Sequence, residues 1–526
     1  MQNTSAETDA AQAVSPSAAN GVEVYAVYGV EPEVQAYAMA KYSRSALSMK
    51  ESLREINQQK AEKFLNTFYF QYGHRSIADL AHIAMAIERL SLLAAIEIAD
   101  EQRWDGQERS TRYQDFKKSG FYTPDFGGDE AALTLYRDTV TNLFIHYQEL
   151  SAKTFEYLAE ITPRPEDMKQ DAYERTLRAR AFDISRYLLP LATNTSLGQI
   201  VNARTLETQV ARLLSHAHAE IRALGAALKR AATTPAYNVN RESLAHLAER
   251  IRERCPDLAE EADRELLRDV QVAPTLVKYA DPSAYQQATR KELTQAASEL
   301  MRETAVVDAP AVDLLDDEAL EVELATSLLY EHCHYPYRQI RNTVASLSSA
   351  RQLEIIDLGL RNRGAHDEMK RSFCAGQQFR FDILMDLGGF RDMHRHRRCV
   401  QLGQGFTTQH GFAAPEELAA AGLLEEYQRS MAAAADAISK LEKGSAPEAQ
   451  QNSQYAIPLA FLKRTLFKMD FAEVVYISEL RTTPAGHASY RKVAYEMYEA
   501  VASRHPGLAH YFRVHDVRQP VDLLKR

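Results

Sequence analysis

The same ordered set of local signals occurs twice in the sequence, which limits the chain to folds that two similar units can build. Each copy has an apolar residue before proline, then Asn or Asp twelve residues later, then Arg ten or eleven residues further: Leu189-Pro190, Asn202 and Arg212, and Ile457-Pro458, Asp470 and Arg481. A His-Ala pair follows in both copies, at His216-Ala217 and His487-Ala488. Such internal similarity is the mark of a repeated unit, so the chain is predicted to be a diverged tandem duplication.

A length of 526 residues is enough for two to four domains. Residues 1–20 contain mainly small and polar residues without an aromatic one, and are predicted to be a disordered lead-in. We assign residues 21–268 to a first unit, 269–322 to a helical connector with a solvated acidic stretch, and 323–526 to a second, diverged unit.

Helical periodicity dominates the chain. It predicts helices over Val34–Phe64, Ala131–Leu158, Leu206–Ala232, Arg241–Cys255, Glu318–Leu329 and Glu417–Leu441. Strand-like runs are short, and Phe379–Met385 is the clearest of them.

The charge balance limits the possible partners. Lys and Arg number 62 against 72 Asp and Glu, for a net charge of −10, so nucleic acid is not expected to bind. The most apolar stretch, Ile83–Ile98, contains Glu88, Arg89 and Glu97, so no membrane span is predicted. The first basic residue is Lys41, so we expect no targeting leader and a cytoplasmic location.

Two short motifs point weakly to ligands. Glu331-His-Cys-His334 places potential metal ligands side by side, but adjacent residues seldom converge on one ion, and no metal site is predicted. Gly403-Gln-Gly405 matches half of a dinucleotide fingerprint and lacks its third glycine, so it is not assigned to a cofactor.

Longer motifs carry a family resemblance. The first unit contains Tyr72-Gly-His-Arg-Ser76 and then Gln107-Glu-Arg-Ser-Thr-Arg-Tyr113, and the second contains Phe379-Arg-Phe381 and then Arg395-His-Arg397. Together they resemble the flavin-dependent thymidylate synthase family (ThyX), whose pattern is GH[ST], a strand, an RHR run and ExSxRY. The similarity extends to Asp183–Pro190 and to the stretch from residue 201 to 217.

The two units depart from the family pattern in complementary ways. Asp100-Glu-Gln102 stands where the first unit should have RHR, whereas the second unit keeps RHR but lacks ExSxRY. Gln451 and Gln454 stand in the second unit where the first has Asp183 and Arg186. We therefore predict one productive site and one FAD per chain, with the nucleotide held by the first unit and the flavin by the second.

The resemblance implies a substrate-binding set in the first unit: Glu108, Ser110, Arg112 and Arg186. Guanidinium groups bind a dianionic phosphate bidentately and stay charged at any pH. The alternative is that the Arg109 to Arg112 stretch makes only surface ion pairs.

The resemblance also implies three catalytic residues: Arg212, Arg481 and His74. One of the two arginines would face the pyrimidine, where it would stabilise negative charge that develops on the ring. The alternative for both is an arginine on a helix surface, and for His74 a turn before a capped helix.

For the flavin, the resemblance implies contacts from Arg395, His396 and Arg397 and from Ser76, Asn202 and Arg204. If residues 395–397 are extended, Arg395 and Arg397 share one face. The alternative is a solvated basic patch.

The resemblance implies an α/β (α+β) fold, helix-rich overall, in which each unit is a mainly antiparallel sheet flanked by helices. The implied reaction is reductive C5 methylation of dUMP to dTMP with bound FAD, NADPH and methylene-tetrahydrofolate. A homodimer would then imitate the family's tetramer. Two alternatives stay open: C5 modification of another uracil nucleotide, and a degenerate paralogue that binds flavin or nucleotide without turnover.

Overall fold

The computed structural model describes residues 25, 27, 29–41, 49–55, 65, 75–116, 119–364, 367–444 and 447–524. The predicted lead-in, residues 1–20, and the predicted catalytic His74 lie outside the described residues.

The first half of the chain folds into helices around a three-stranded antiparallel sheet. Its elements in chain order are α1 (Pro32–Lys41), α2 (Met49–Glu55), β1 (His82–Ser91), α3 (Leu92–Ile98), β2 (Asp105–Glu108), α4 (Glu130–Ile161), α5 (Gln170–Ser185), β3 (Asn194–Asn202), α6 (Ala203–Leu214), α7 (Ala219–Thr233), α8 (Arg241–Arg254) and α9 (Ala259–Leu266). Short 3₁₀ turns cover Arg75–Leu80, Arg186–Leu188 and Pro256–Leu258.

The second half surrounds a four-stranded antiparallel sheet. Its elements are α10 (Ala284–Leu300), β4 (Val312–Leu314), α11 (Leu320–Tyr330), α12 (Tyr337–Ala345), α13 (Ser349–Leu358), β5 (Phe379–Asp386), α14 (Leu387–Met393), β6 (Val400–Gly403), α15 (Glu416–Ala420), α16 (Leu424–Glu442), α17 (Pro447–Asn452), β7 (Leu462–Met469), α18 (Phe471–Arg481) and α19 (Ala488–Arg504). Its 3₁₀ turns cover Arg371–Phe373, Ser453–Ala456 and Pro506–Tyr511.

The two sheets have the same internal order. The first is β1-β3-β2, and the second repeats it as β5-β7-β6 with β4 added at one edge. The elements between the strands also recur, including the 3₁₀ turn before the last strand and the helix pair after it. Asn202 and Asp470 both cap the helix that follows that strand, because each side chain accepts a hydrogen bond from a backbone N–H three residues on. The predicted duplication is therefore confirmed, as is the helix-rich α+β fold.

The halves join through backbone hydrogen bonds around Pro190 and Pro458, which face each other in an antiparallel bridge. Proline has no N–H, so the flanking residues make the bonds. Leu191 N donates to Ile457 O at 2.8 Å, and Leu459 N donates to Leu189 O at 2.9 Å. This exchange relates the two halves by an approximate two-fold axis, and one apolar core continues across it.

Two of the predicted helices differ from the observed ones, and a third is only partly described. Within the Val34–Phe64 prediction, α1 and α2 are helical, and residues 42–48 and 56–64 lie outside the described residues. The Leu206–Ala232 prediction is interrupted at residues 215–218, where the chain reverses so that Gly225 of α7 packs directly on Leu213 of α6. The Glu417–Leu441 prediction is interrupted at Gly422, whose φ of 69° takes the backbone out of the helix.

The predicted connector, residues 269–322, contains α10 and the edge strand β4. Leu314 and Leu315 are buried, and Asp313 forms an ion pair with Arg338 at 2.7 Å. The acidic stretch is thus partly built into the second sheet, because its apolar residues complete that sheet's core. No helix within the described ranges combines the length and apolar character that crossing a bilayer requires.

The second sheet depends on Asp382, which is fully buried on β5. Its carboxylate accepts hydrogen bonds from Tyr330 Oη at 2.6 Å, Tyr337 N at 2.8 Å and Arg464 Nη1 at 2.9 Å. Asp382→Ala leaves the Arg464 cation buried without its counterion, so we expect a loss of about 3–5 kcal/mol in unfolding free energy, measured by urea denaturation. The exposed Asp436→Ala should cost less than about 0.5 kcal/mol. A comparable loss in both variants would contradict this role.

Candidate functional site

Arg112 from the predicted substrate-binding set is buried and fully engaged at the junction of the halves. Its Nε and Nη2 donate to the two carboxylate oxygens of Asp183 at 2.9 and 3.0 Å. Its Nη1 donates to Tyr490 Oη at 2.9 Å, and Nη2 also donates to Ala485 O at 3.1 Å. The guanidinium therefore links α5 of the first half to α19 of the second.

Arg186 lies in the 3₁₀ turn after α5 and is also buried, with 2% of its side chain exposed. Its Nη1 donates to Thr111 Oγ1 at 3.3 Å, and its Nε lies 3.4 Å from Asp183 Oδ1. Its Nη2 has no hydrogen-bond partner in the described part of the chain. Since a buried donor is normally paired, this guanidinium keeps binding capacity for a ligand.

The second half completes this cluster with two residues of α14. Arg391 donates to Glu108 Oε1 and, at 3.2 Å, to Thr111 Oγ1. Asp392 Oδ2 lies 4.0 Å from Arg186 Nη1. Neither Arg391 nor Asp392 was predicted from the sequence, although both come shortly before the basic run Arg395-His-Arg397.

Charge pairing controls protonation in the cluster. Burial opposes ionisation of Asp183, but His487, Arg186 and Arg112 outweigh it and hold the pKa of the carboxyl well below its usual range. Burial likewise disfavours the Arg112 cation, but Asp183 more than compensates and raises its pKa. The pair stays fully ionised at neutral pH.

The basic run of the second half is a turn that follows α14, not an extended segment. The prediction that Arg395 and Arg397 share one face is therefore wrong: Arg395 is exposed, whereas Arg397 is half-buried over the ring of Trp104, 5.2 Å from its centroid. His396 is buried. The turn forms because α14 ends at Met393 and the chain must reverse to enter β6.

This turn faces the acidic run of the first half, Asp100-Glu-Gln102. Asp100 accepts hydrogen bonds from Arg371, and its Oδ1 lies 3.6 Å from His394 Nε2. Glu101 pairs with Arg212 at 2.9 Å. The acidic run of the first half is thus a direct neighbour of the basic run of the second.

The cavity between the two runs is small, about 10 Å³, and holds at most one water molecule. A flavin ring does not fit there. Arg395 of the turn is exposed and does not line this cavity, whereas Arg397 lines it and its Nη2 is a buried donor without a partner among the described residues. Guanidinium donors of this kind fit an anionic cofactor such as FAD.

Arg212 and Arg481 both lie in the last turn of the helix that follows the last strand of their half, but their surroundings differ. Arg212 is paired with Glu101 and donates to Glu97 O at 2.8 Å. Arg481 Nε donates to His396 Nε2 at 2.8 Å, and its guanidinium lies 5.4 Å from the ring of Tyr490. Only Arg481 of this pair lies beside the buried arginine cluster.

Tyr490 connects the two sets of predicted residues. Its hydroxyl accepts from Arg112 of the first half, and its ring lies beside Arg481 of the second. Contacts therefore run without interruption from Arg186 through Asp183, Arg112, Tyr490 and Arg481 to His396.

The remaining predicted residues lie elsewhere or have local roles. Ser110 Oγ accepts from Arg112 N at 3.2 Å, and Asn202 caps α6. Ser76 is exposed in the first 3₁₀ turn. Arg204 contacts Asp79 at 3.5 Å and Glu368 at 3.3 Å. Within the described part of the chain, none of these contacts joins Ser76, Asn202 or Arg204 to the basic turn.

The chain consists of two similar antiparallel α+β units. Arg112 and Arg186 of the first unit lie near His396 and Arg481 of the second at the junction. The fold and the site together define a duplicated protein with a composite polar site. The family model described as "Thymidylate synthase complementing protein" matches residues 27–235 and again residues 314–507. The chain belongs to this family, and it carries the family's unit twice.

Relatives support the duplicated arrangement. A UPF0159 protein of Chlamydia muridarum is 27% identical over 94% of this chain and 92% of its own length. A UPF0159 protein of Thermoplasma acidophilum is 24% identical over 90% of this chain and 93% of its own. A flavin-dependent thymidylate synthase of Clostridium tetani is 26% identical over 34% of this chain and 68% of its own, so it matches roughly one unit.

Among solved structures, the chain is similar to the flavin-dependent thymidylate synthase ThyX of Helicobacter pylori in complex with FAD and dUMP. The two are 17% identical, with a TM-score of 0.26, over 38% of this chain and 89% of the other.

The contact between the acidic run and the basic turn gives a pH-dependent prediction. Burial opposes ionisation of Asp100, but Arg371 and His394 outweigh it and hold its pKa well below the usual value. Its stabilising effect is therefore complete above about pH 5, declines as pH falls below about 4, and is lost entirely only when pH falls through the depressed folded-state pKa. We expect Asp100→Asn to lower the unfolding free energy by about 1–2 kcal/mol at pH 7, allowing for its 30% exposure, and by less at pH 3.

The measurement is urea unfolding of both proteins between pH 7 and pH 3. Asp105→Asn, an exposed position on β2, is the control and should match the wild-type protein throughout. A difference for Asp100→Asn that stays constant with pH would contradict the assignment.

Proposed function

We propose that this protein is a flavin-dependent thymidylate synthase-like enzyme that methylates C5 of a uracil nucleotide, most simply dUMP to dTMP. The observation that carries the proposal is the continuous line of contacts from Arg186 to His396 through Tyr490, which brings together residues that the two diverged halves kept separately. Family membership supports the reaction class.

For the nucleotide, Arg186 is the direct phosphate contact and Arg112 is a positioning residue. The free Nη2 of Arg186 is available to a phosphate oxygen, whereas Arg112 already donates to Asp183, Tyr490 and Ala485. A buried guanidinium binds phosphate strongly because the charge-assisted bond is not weakened by water. Ser110 and Glu108 hold the loop in place through Arg112 N and Arg391.

For the pyrimidine, Arg481 is the better of the two candidate arginines. It keeps its cation beside the cluster without a carboxylate partner in the described part of the chain, whereas Arg212 is neutralised by Glu101 and Glu97. A guanidinium near the uracil carbonyl edge stabilises charge that develops there during C5 bond formation.

For the flavin, Arg395 and Arg397 would hold the anionic part of FAD. Bound FAD supplies hydride and one-carbon transfer, with NADPH and methylene-tetrahydrofolate as co-substrates. His396 is held by Arg481 and lies 3.5 Å from Glu473, so it orients the turn relative to α18. The open side of the turn suits a homodimer in which a second chain covers the cofactor.

The reaction is tested by complementation of a thymidine auxotroph and by tritium release from dUMP labelled at C5. Growth without thymidine and release that depends on FAD and methylene-tetrahydrofolate are the expected results. If the protein binds dUMP but neither complements nor releases tritium, it is a binder without turnover.

That second function has one observation in its favour. The cavity between the acidic and basic runs is about 10 Å³, and Arg371 on its wall is already paired with Asp100 of the same chain. A paralogue that lost flavin chemistry would keep the arginine cluster and close this cavity. A protein that binds dUMP but not FAD is therefore a binder without turnover, whereas one that binds both is consistent with the enzyme.

The phosphate contact predicts the effect of Arg186→Ala. Loss of a charge-assisted hydrogen bond in a desolvated site should weaken dUMP binding by about 2–3 kcal/mol, or roughly 30- to 150-fold, measured by isothermal titration calorimetry. Arg178→Ala is the matched control, because Arg178 is on the same stretch of chain but 61% exposed. Equal affinity of the Arg186 variant and the control would rule out this contact.

The composite site predicts one FAD per chain. The first half has Asp100 and Glu101 at the position that corresponds to Arg395 and His396, and two carboxylates there repel a pyrophosphate. Titration with FAD is followed by quenching of Trp104, the single tryptophan, which lies under Arg397. Two equivalent FAD molecules per chain would overturn the single-site arrangement.

A further inference from the structure

Two buried lysines on β7 have opposite environments. Lys468 donates to Glu323 and Ser327, each at 2.9 Å, and to Cys374 O at 3.0 Å. Lys463, 7% exposed, donates to the carbonyl oxygen of Gln404, and within the described ranges no carboxylate lies within 4 Å of its amine. A buried ammonium without a counterion is unfavourable, so the Lys463 position needs a reason other than stability.

The space around Lys463 is shaped by the glycine motif that the sequence argument left unassigned. A Cβ on Gly403 would lie 3.1 Å from Lys463 Cε, so a larger residue there would press on the side chain. The amine lies 4.3 Å from the ring centroid of Phe406 and 5.4 Å from that of Phe390. Gly403 therefore lets the lysine stem pass β6 and reach the rings of Phe406 and Phe390.

Several buried polar atoms in the neighbourhood of Lys463 have no hydrogen-bond partner among the described residues. Four buried side-chain atoms near Lys463 have no hydrogen-bond partner among the residues the structure describes: His334 Nδ1, His410 Nε2, Gln404 Oε1 and Thr465 Oγ1. The two histidine rings are 5.9 Å apart, and a Cβ on Gly405 would lie 3.5 Å from His334. Gly405, next to His334, is exposed, so the histidine pair lies beside the surface. Such a group of unsatisfied atoms calls for a small polar ligand.

Burial also alters the amine itself. It lowers the pKa of Lys463 to about 8, against the opposing influence of Glu97, Asp100 and Glu331. The nearby Lys463 cation in turn helps burial to lower the pKa of His334 to about 4, so both ring nitrogens are available as neutral donor and acceptor at pH 7. About a tenth of the amine is then neutral at pH 7, about 200-fold more than for an ordinary lysine.

We propose that Lys463 is a nucleophilic site that forms an imine with a small aldehyde entering between His334 and His410. The amine nitrogen attacks the carbonyl carbon, a C=N bond replaces the C=O bond, and the oxygen leaves as water with two protons from the nitrogen. No oxidant or reductant is needed. The unpaired histidine nitrogens are placed to bind the carbonyl oxygen and to carry its proton. This site is independent of the nucleotide reaction.

The test is reductive trapping with acetaldehyde and sodium cyanoborohydride on the full-length protein, followed by peptide mass spectrometry. At pH 7.5, Lys463 should be ethylated at least about tenfold faster than the exposed Lys153, because about 200-fold more of its amine is neutral. Its labelling rate should rise with a midpoint near pH 8. Lys468 is the matched control, buried on the same strand but ion-paired, and should stay unmodified.

Lys463→Arg should abolish the fast-labelled peptide and leave the rate at Lys153 unchanged. If this variant does not fold, the labelling rates of Lys463, Lys153 and Lys468 within the wild-type protein still test the proposal. Labelling of Lys463 no faster than that of Lys153, or a labelling midpoint above pH 10, would overturn the proposal. Neither result bears on thymidine complementation, so failure here is distinct from failure of the proposed enzyme activity.

Discussion

The backbone pairing around Pro190 and Pro458 is the interaction on which the rest of the structure depends. It joins two sheets that are each too small to enclose a core alone, and it does so where prolines prevent a longer ladder. The exchange of hydrogen bonds between residues 189–191 and 457–459 fixes the approximate two-fold relation of the halves. Everything polar at the junction follows from this relation, because it decides which helix of one half meets which turn of the other.

Placed by this junction, Asp183 organises the candidate site. A single carboxylate holds Arg112 bidentately and lies beside Arg186, so it sets the position of two cations at once. Arg112 then reaches Tyr490, and Tyr490 reaches Arg481. Removal of the Asp183 carboxylate would leave the guanidinium groups of Arg112 and Arg186 buried without this counterion. The resulting loss of unfolding free energy exceeds the loss that follows from breaking an exposed ion pair. The site is therefore also a structural seam between the halves.

Sequence patterns predicted the duplication, the long helix α4, strand β5 and the separation of retained motifs, because each rests on local periodicity or on order along the chain. They did not predict the break between α6 and α7, since the helical period continues across it and tertiary packing of Gly225 on Leu213 decides the turn. They also missed Arg391 and Tyr490. Both matter only through partners about 280 and 380 residues away, and no local signal encodes such contacts.

The asymmetry of the two halves has a physical origin in the duplication itself. Residues from corresponding positions, Asp100–Gln102 of the first half and His396 and Arg397 of the second, line the same small cavity near the axis that relates the halves. In a dimer of identical units, such positions face their own copies, so a basic run would meet a basic run and repel it. Duplication removes that constraint and allows an acid to face a base. Asp100 then compensates Arg371 and lies beside His394, which stabilises the junction, while the first half lacks the basic run that the second half keeps. Loss of complementary motif pieces is thus the expected result of optimising one shared interface.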